Sequence, residues 1–241
     1  MSNITSPENH ATGPNESAIS SRMNSLRAGV LGANDGIVSM AALLVGVAAA
    51  SPSNGALLTA GVAGLSAGAL SMGIGEYVSV SSQRDAERAQ IERETKWQEI
   101  RPEWELEQLV ELNMRTGMSQ DVARMAASEQ MKHDALAIHA LMHLGINPHE
   151  FTNPWAAGIA SLVAFTAGGI IPTVTILLLP DAWAIGATFV AVILALAITG
   201  LTSARVAHSS KRTALVRNVL GGSLAMLITY GIGALLGTQV L

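Results

Sequence analysis

The chain has 241 residues, 49% of them hydrophobic and only 13% charged, with a formal net charge of −4. A soluble domain carries about 25% charge, so the composition argues against one and for an integral membrane protein. Cysteine is absent, which excludes a disulfide framework, a thiolate metal site and a cysteine nucleophile, and the small net charge gives no reason to expect a nucleic-acid partner.

Residues 1–20 are polar and rich in Ser, Asn and Pro. They lack the basic start and apolar core of a signal peptide, and their composition predicts a disordered tail. Residues 21–80 hold the first two of five apolar stretches, 27–49 and 55–80, separated by "SPSNG". Each is long enough to cross a bilayer, which takes about 20 residues.

Residues 81–150 differ in kind, with 13 Asp and Glu against 8 Lys and Arg. "SQRDAERAQIERETKWQEI" predicts a polar helix running out of the second span, broken at Pro102. "PEWELEQLVELNMRTG" predicts a second helix, with Pro at its first turn and Gly at its end. Ser119 is expected to cap a third helix, and Gly145 to close it.

Residues 151–241 supply the remaining spans, 154–179, 182–203 and 215–240. Pro172, in "GGIIP", removes a backbone donor and predicts a bend in the third span. The fold class expected is therefore an all-α membrane protein of five spans, with a three-helix cytosolic domain inserted between spans 2 and 3.

All 14 Lys and Arg fall on one side of these spans or in the adjoining helix ends. Arg22 and Arg27 precede the first span, and Arg205, Lys211, Arg212 and Arg217 flank the connection between the last two. By the positive-inside rule, the N-terminus and the middle domain are cytosolic and the C-terminus is outside.

Acids inside spans are costly, at about 2.5–3.5 kcal/mol for Asp at the bilayer centre. Asp35 lies about a third of the way into the first span, between Gly32 and Gly36. It is read either as a functional group facing the bundle interior or a water path, or as a structural ion pair. Glu76, near the cytosolic end of the second span, is read as functional or as a snorkelling interfacial acid. Met72 lies four residues before it on the same helix face. A thioether beside carboxylates suits a transition metal better than magnesium or calcium, although packing is the commoner use of a lone Met.

In the middle segment, Glu129 and His133 are four residues apart, as are His139 and His143. Pairs at that spacing can converge on one metal, while surface histidines are the plainer reading. The other glutamates read as a solvated face laced with basic residues. An enzyme such as a di-iron oxidase would need paired Glu-x-x-His motifs, and none is present.

Three segments together, "GANDGIVS", "GALSMGIGEYVSVSSQRDAERAQIERE" and "KHDALAIHALMHLGI", resemble the vacuolar iron transporter family in its bacterial form, over about residues 27–240. The resemblance implies a homodimer of five-span subunits with a cytosolic helical metal-binding domain. It also implies proton-coupled export of Fe2+, often Mn2+, from the cytosol to a vacuole or the cell exterior, with protons, metal ions and the lipid bilayer as partners and no permanently bound cofactor; for this chain the membrane expected is the cell inner (plasma) membrane. It carries central membrane ligands onto Asp35 and Met72, with Glu76 a further candidate on the transport path. A membrane acid of plant members falls on Gly64.

The same resemblance places metal-binding carboxylates at Glu94 and Glu105 and a methionine ligand at His139. The sequence departs at Trp97, Gln108 and His143, each of which stands where a Glu is expected. Imidazole binds Fe2+, Mn2+ or Zn2+, so histidine re-codes such a site where Trp97 cannot ligate. Glu129 and His133 are expected helpers. The alternative is a membrane-anchored metal-binding or sensing module that transports nothing.

Overall fold

The computed structural model describes residues 16–50, 53–149 and 151–239, with side chains from Asn24 to Thr238. Most of the expected tail, and Ser51 and Pro52 of the first hairpin, lie outside the described residues. The elements are α1 (Glu16–Ala50), α2 (Asn54–Ile100), α3 (Pro102–Arg115), α4 (Gln120–His139), a π-helical turn (Ala140–Leu144), α5 (Pro154–Leu178), α6 (Asp181–Val206) and α7 (Lys211–Gln239). Among the described residues there is no strand.

Among the described residues, five helices are long and apolar enough to cross a membrane: Asn24–Ala50 of α1, α2, α5, α6 and Lys211–Thr238 of α7. The chain forms two compact units. One takes Arg22–Val78 and the chain from Pro154 onward, and the other is centred on Ser79–Asn153.

The first unit is packed through backbone rather than bulk. A Cβ on Gly36 would collide with the Phe165 carbonyl, and one on Gly168 with the Ala33 carbonyl. A Cβ on Gly32 would come within 2.5 Å of the Ser161 oxygen. So α1 and α5 touch main chain to main chain, which only glycine permits. The same holds between α1 and α7, where a Cβ on Gly233 would strike the Gly46 carbonyl.

Around these contacts lie two apolar clusters. One is built on Met40, Leu44, Val45, Leu57, Phe165 and Ile176, and the other on Ile37, Ala41, Val192, Leu196 and Met226. The opposite faces are just as apolar and are exposed, as at Leu178 (77%), Ile198 (65%) and Leu235 (69%). A surface of that kind is stable against lipid, not water.

Threonines within the spans satisfy their own hydroxyls. Thr173 donates to the Gly169 carbonyl and Thr188 to the Ala184 carbonyl, each at 2.7 Å. With no water in a bilayer core, such internal bonds are what make the residue tolerable. Helix α5 runs through Pro172 without interruption.

The second unit has a small core of its own, Leu109 and Val110 of α3 against Ala123 and Ala127 of α4. Pro102 occupies the first turn of α3, where Glu103 and Glu105 also sit, and Arg115 ends it. Acid at the start and base at the end both favour the helix dipole. Asn113, buried, donates to Gln130 at 2.9 Å and ties α3 to α4.

Ser119 holds the N-cap position of α4 as expected, but its side chain makes no capping bond. Gly145 closes the π-helical turn in the left-handed conformation (φ 69°), with Ile146 N–H donating to Ala140 O at 3.1 Å. That close is the glycine C-cap the sequence predicts.

One feature of α4 is not signalled by its sequence pattern. At Asp134 (φ −141°, ψ 79°) the backbone leaves the helix and then re-enters it. The Asp134 carboxylate accepts the Ala137 N–H at 2.9 Å, which caps the restarted helix. His149 meets the same carboxylate at 3.1 Å.

Candidate functional site

Three elements of the second unit converge on one buried imidazole. Helix α2 brings Glu94, α3 brings Glu105 from its first turn, and the restarted end of α4 brings His139. Glu94 Oε1 lies 3.1 Å from His139 Nε2, and Glu105 Oε2 lies 2.7 Å from His139 Nδ1. The three residues are 2%, 0% and 0% exposed.

None of these facing atoms has a partner in hydrogen-bond direction. Buried polar atoms without partners are expensive, and here they face one another at ligand spacing. His143, in the π-helical turn, joins two of them, Glu94 and His139, while Glu105 meets the ring nitrogen opposite the one that Glu94 faces. Donor atoms of Glu94, His139 and His143 all lie within 4.8 Å of one another, and the two imidazole rings are 5.4 Å apart. A π-helical turn is frequent at functional sites.

The electrostatics fit a cation. Burial, with the Glu94 charge beside it, raises the Glu105 carboxyl to about 7. Burial lowers the His139 imidazole, and the nearby Glu94 charge pulls it part of the way back. Burial therefore favours a neutral imidazole at His139 and holds the Glu105 proton more tightly than usual. Neutral imidazole and carboxylate are the forms that bind a metal, and a mixed nitrogen and oxygen donor set suits divalent iron, manganese or zinc.

The structure does not bring Glu129 and His133 to this cluster. Both are exposed, and Glu129 pairs with Lys132 at 2.7 Å. At about 100° and 1.5 Å per residue they lie about 9–15 Å along α4 from His139 and on another face of it, so the helix turns them to solvent while it buries His139. Trp97 stacks edge-on against Trp104, ring centroids 5.9 Å apart, and is 39% exposed. Gln108 lines a small cavity beside His143.

In the membrane unit, Asp35 is half-buried and accepts a hydrogen bond from Ser39 Oγ at 2.9 Å. No basic side chain pairs with it among the described ion pairs. Leu31, Ser39 and Leu43 are exposed on α1. Asp35 falls in register with them at four-residue intervals, so it sits on a stripe that the rest of the unit leaves open.

Met72 is packed against the cluster of Met40, Leu44 and Phe165. Glu76 is 13% exposed and meets Arg27 at 3.6 Å, an ion pair that the sequence did not single out. Its signal was available, since Arg27 heads the first span just as Glu76 ends the apolar part of the second. At Gly64, a Cβ would come within 2.5 Å of the Leu43 side chain, so the position is closed to an acid as these side chains stand.

The sequence profile of the VIT family matches residues 26–234. The chain is 44% identical over 212 residues to a vacuolar iron transporter of Acanthamoeba castellanii, covering 87% of this chain and 78% of that protein. It is 32% identical over 247 residues to vacuolar iron transporter homolog 2.1 of Arabidopsis thaliana, covering 100% and 96%. It is 37% identical over 213 residues to vacuolar iron transporter homolog 1 of Oryza sativa subsp. japonica, covering 88% and 74%. A multi-pass bundle in which donor atoms of Glu94, His139 and His143 converge, matched along nearly all its length, leaves one assignment: the chain belongs to the VIT family, whose members are transporters and not enzymes.

Proposed function

We propose that this protein exports a divalent transition metal, Fe2+ or Mn2+, from the cytosol in exchange for protons, as a homodimer in the cell inner (plasma) membrane. Glu94, Glu105, His139 and His143 gather the ion on the cytosolic side. Asp35, Met72 and Glu76 pass it across. The N-terminus and the 79–153 unit face the cytosol, and the C-terminus faces outside, as the basic residues direct.

The observation that carries this reading is the convergence of Glu94, His139 and His143 donor atoms within 4.8 Å, in a chain whose relatives are named for iron transport. The open stripe on α1 supports the rest. A carboxylate cannot stably face hydrocarbon, so Asp35 needs a second copy or a water path in front of it. Ionised carboxylates bind the ion, and protonation from the outside weakens that hold and releases it. Arg27 neutralises Glu76 until the metal displaces it.

The test is uptake into proteoliposomes with a metal series, with and without a pH gradient. Asp35→Asn is expected to abolish flux while metal binding by the purified chain persists. Flux that survives Asp35→Asn would rule out the route. Binding without flux in the parent protein would leave the anchored binding module instead.

A further inference from the structure

We propose that the cavity walled by Gln108, Glu111, Leu112, Arg115 and His143 is the port through which the metal reaches the buried donors, with Arg115 as its electrostatic latch. This rests on the metal-gathering reading of the Glu94, Glu105, His139 and His143 cluster.

Access is the problem that cluster poses. Glu94, Glu105 and His139 are at most 2% exposed, so an ion cannot arrive at them directly from solvent. His143 is the exposed member of the converging group. It is also a wall of a half-open cavity of about 70 Å³. At about 15 Å³ per water, that is room for roughly four or five waters, enough for a partly hydrated ion.

The cavity is polar in the way a port needs. Gln108 Oε1 is shielded from solvent and has no hydrogen-bond partner, so its carbonyl is free to replace a water on the ion. Glu111 offers a carboxylate, and Arg115 Nη2 holds it at 2.7 Å. Both side chains are exposed, at 65% and 69%, so the pair can open without disturbing the core. While it is closed, the guanidinium opposes a divalent cation; when it opens, Glu111 attracts one. Gln108 and Arg115 thereby act on the ion in transit and stand outside the resident donors.

The experiment is rapid mixing of the full-length protein in detergent with Co2+ alone, followed by its visible absorption, with release measured after adding a chelator. Arg115→Gln is expected to raise the association rate about three- to tenfold at low ionic strength, an advantage that shrinks at 0.5 M salt as charges are screened (~4 Å screening length). Glu111→Gln is expected to lower it by a similar factor. Gln108→Trp, which fills the cavity, is expected to slow association and release together about tenfold, with the dissociation constant within about threefold of the parent. Unchanged rates in Arg115→Gln and Gln108→Trp would overturn the port alone. A Gln108→Trp protein that binds at the parent rate but more weakly would also overturn it, since that marks a ligand. Failure of the parent chain to bind Co2+, or binding indifferent to Glu94→Gln, would overturn the gathering cluster and the port together.

Discussion

Glu105 and His139 touch at 2.7 Å and are displaced in opposite directions by the same burial. The signs fix two pH responses. The Glu105 carboxyl is raised from 4.5 to about 7, so its proton is held more tightly in the folded state. Its contribution to metal-free stability is complete below about 4.5 and is lost as pH rises through about 7. The His139 imidazole is lowered from 6.5, so its contribution is present above 6.5 and is lost as pH falls through its depressed value.

On the proposed gathering role of Glu105, metal binding responds with the opposite sign, because the ion would displace its proton. Apparent affinity is expected to fall about tenfold per pH unit below 7 and to level off above it. Titration of the purified protein with Co2+ from pH 5.5 to 8.5 measures this. Glu105→Gln should bind more weakly and lose most of that slope. A slope that persists in Glu105→Gln would place the proton elsewhere.

At the scale of elements, α1 and α5 depend on missing side chains. Gly36→Ala forces a methyl against the Phe165 carbonyl, where main chain has to move. The expected cost is about 1–3 kcal/mol, seen as a lower unfolding temperature in detergent. Gly186→Ala is the control. Nothing lies within 4 Å of a Cβ there, and the better helix former should leave stability unchanged or raise it by up to about 1 kcal/mol.

Helix α4 depends on Asp134 in a different way. The carboxylate restarts the helix that carries His139. Asp134→Ala should cost about 1 kcal/mol, the worth of a lost cap, and should weaken metal binding because His139 loses its fixed approach. Asp134→Asn keeps an acceptor and should restore most of both. Equal loss in the two variants would shift the role from the cap to the charge opposite His149.

At the scale of the whole molecule, the exposed apolar faces and the open α1 stripe demand a lipid environment and a covering surface over Asp35. The chain has no cysteine, so a single Ser39→Cys variant reports on one position only. A homodimer closed over this stripe predicts a disulfide-linked species of twice the mass on mild oxidation in membranes. A variant that stays a single chain under oxidation that links a control pair would argue that another surface covers Asp35.

The five spans, the hairpin breaks and the acidic middle segment were legible in the chain, because length and hydropathy alone decide what can cross a bilayer. Glycine at 145 closed its helix where the pattern put it. Glu94 was named from resemblance, and His139 and His143 from their spacing as well, and the fold brings donor atoms of the three within 4.8 Å of one another. Glu129 and His133 were legible as a pair too; both are exposed, and Glu129 pairs with Lys132. Spacing does not say which face of α4 the fold buries, and nothing local announces that the helix breaks at Asp134.

What the sequence settled by itself was which segments leave water, since that follows from transfer free energy summed along a window. What only the tertiary structure decided was which polar atoms end up without partners. Glu94, Glu105 and His139 lie 11, 34 and 45 residues from one another along the chain, and only the packing of three helices makes them neighbours in the dry interior. That desolvation, which perturbs Glu105 and His139 in opposite directions, is a property of the folded arrangement and not of any one segment.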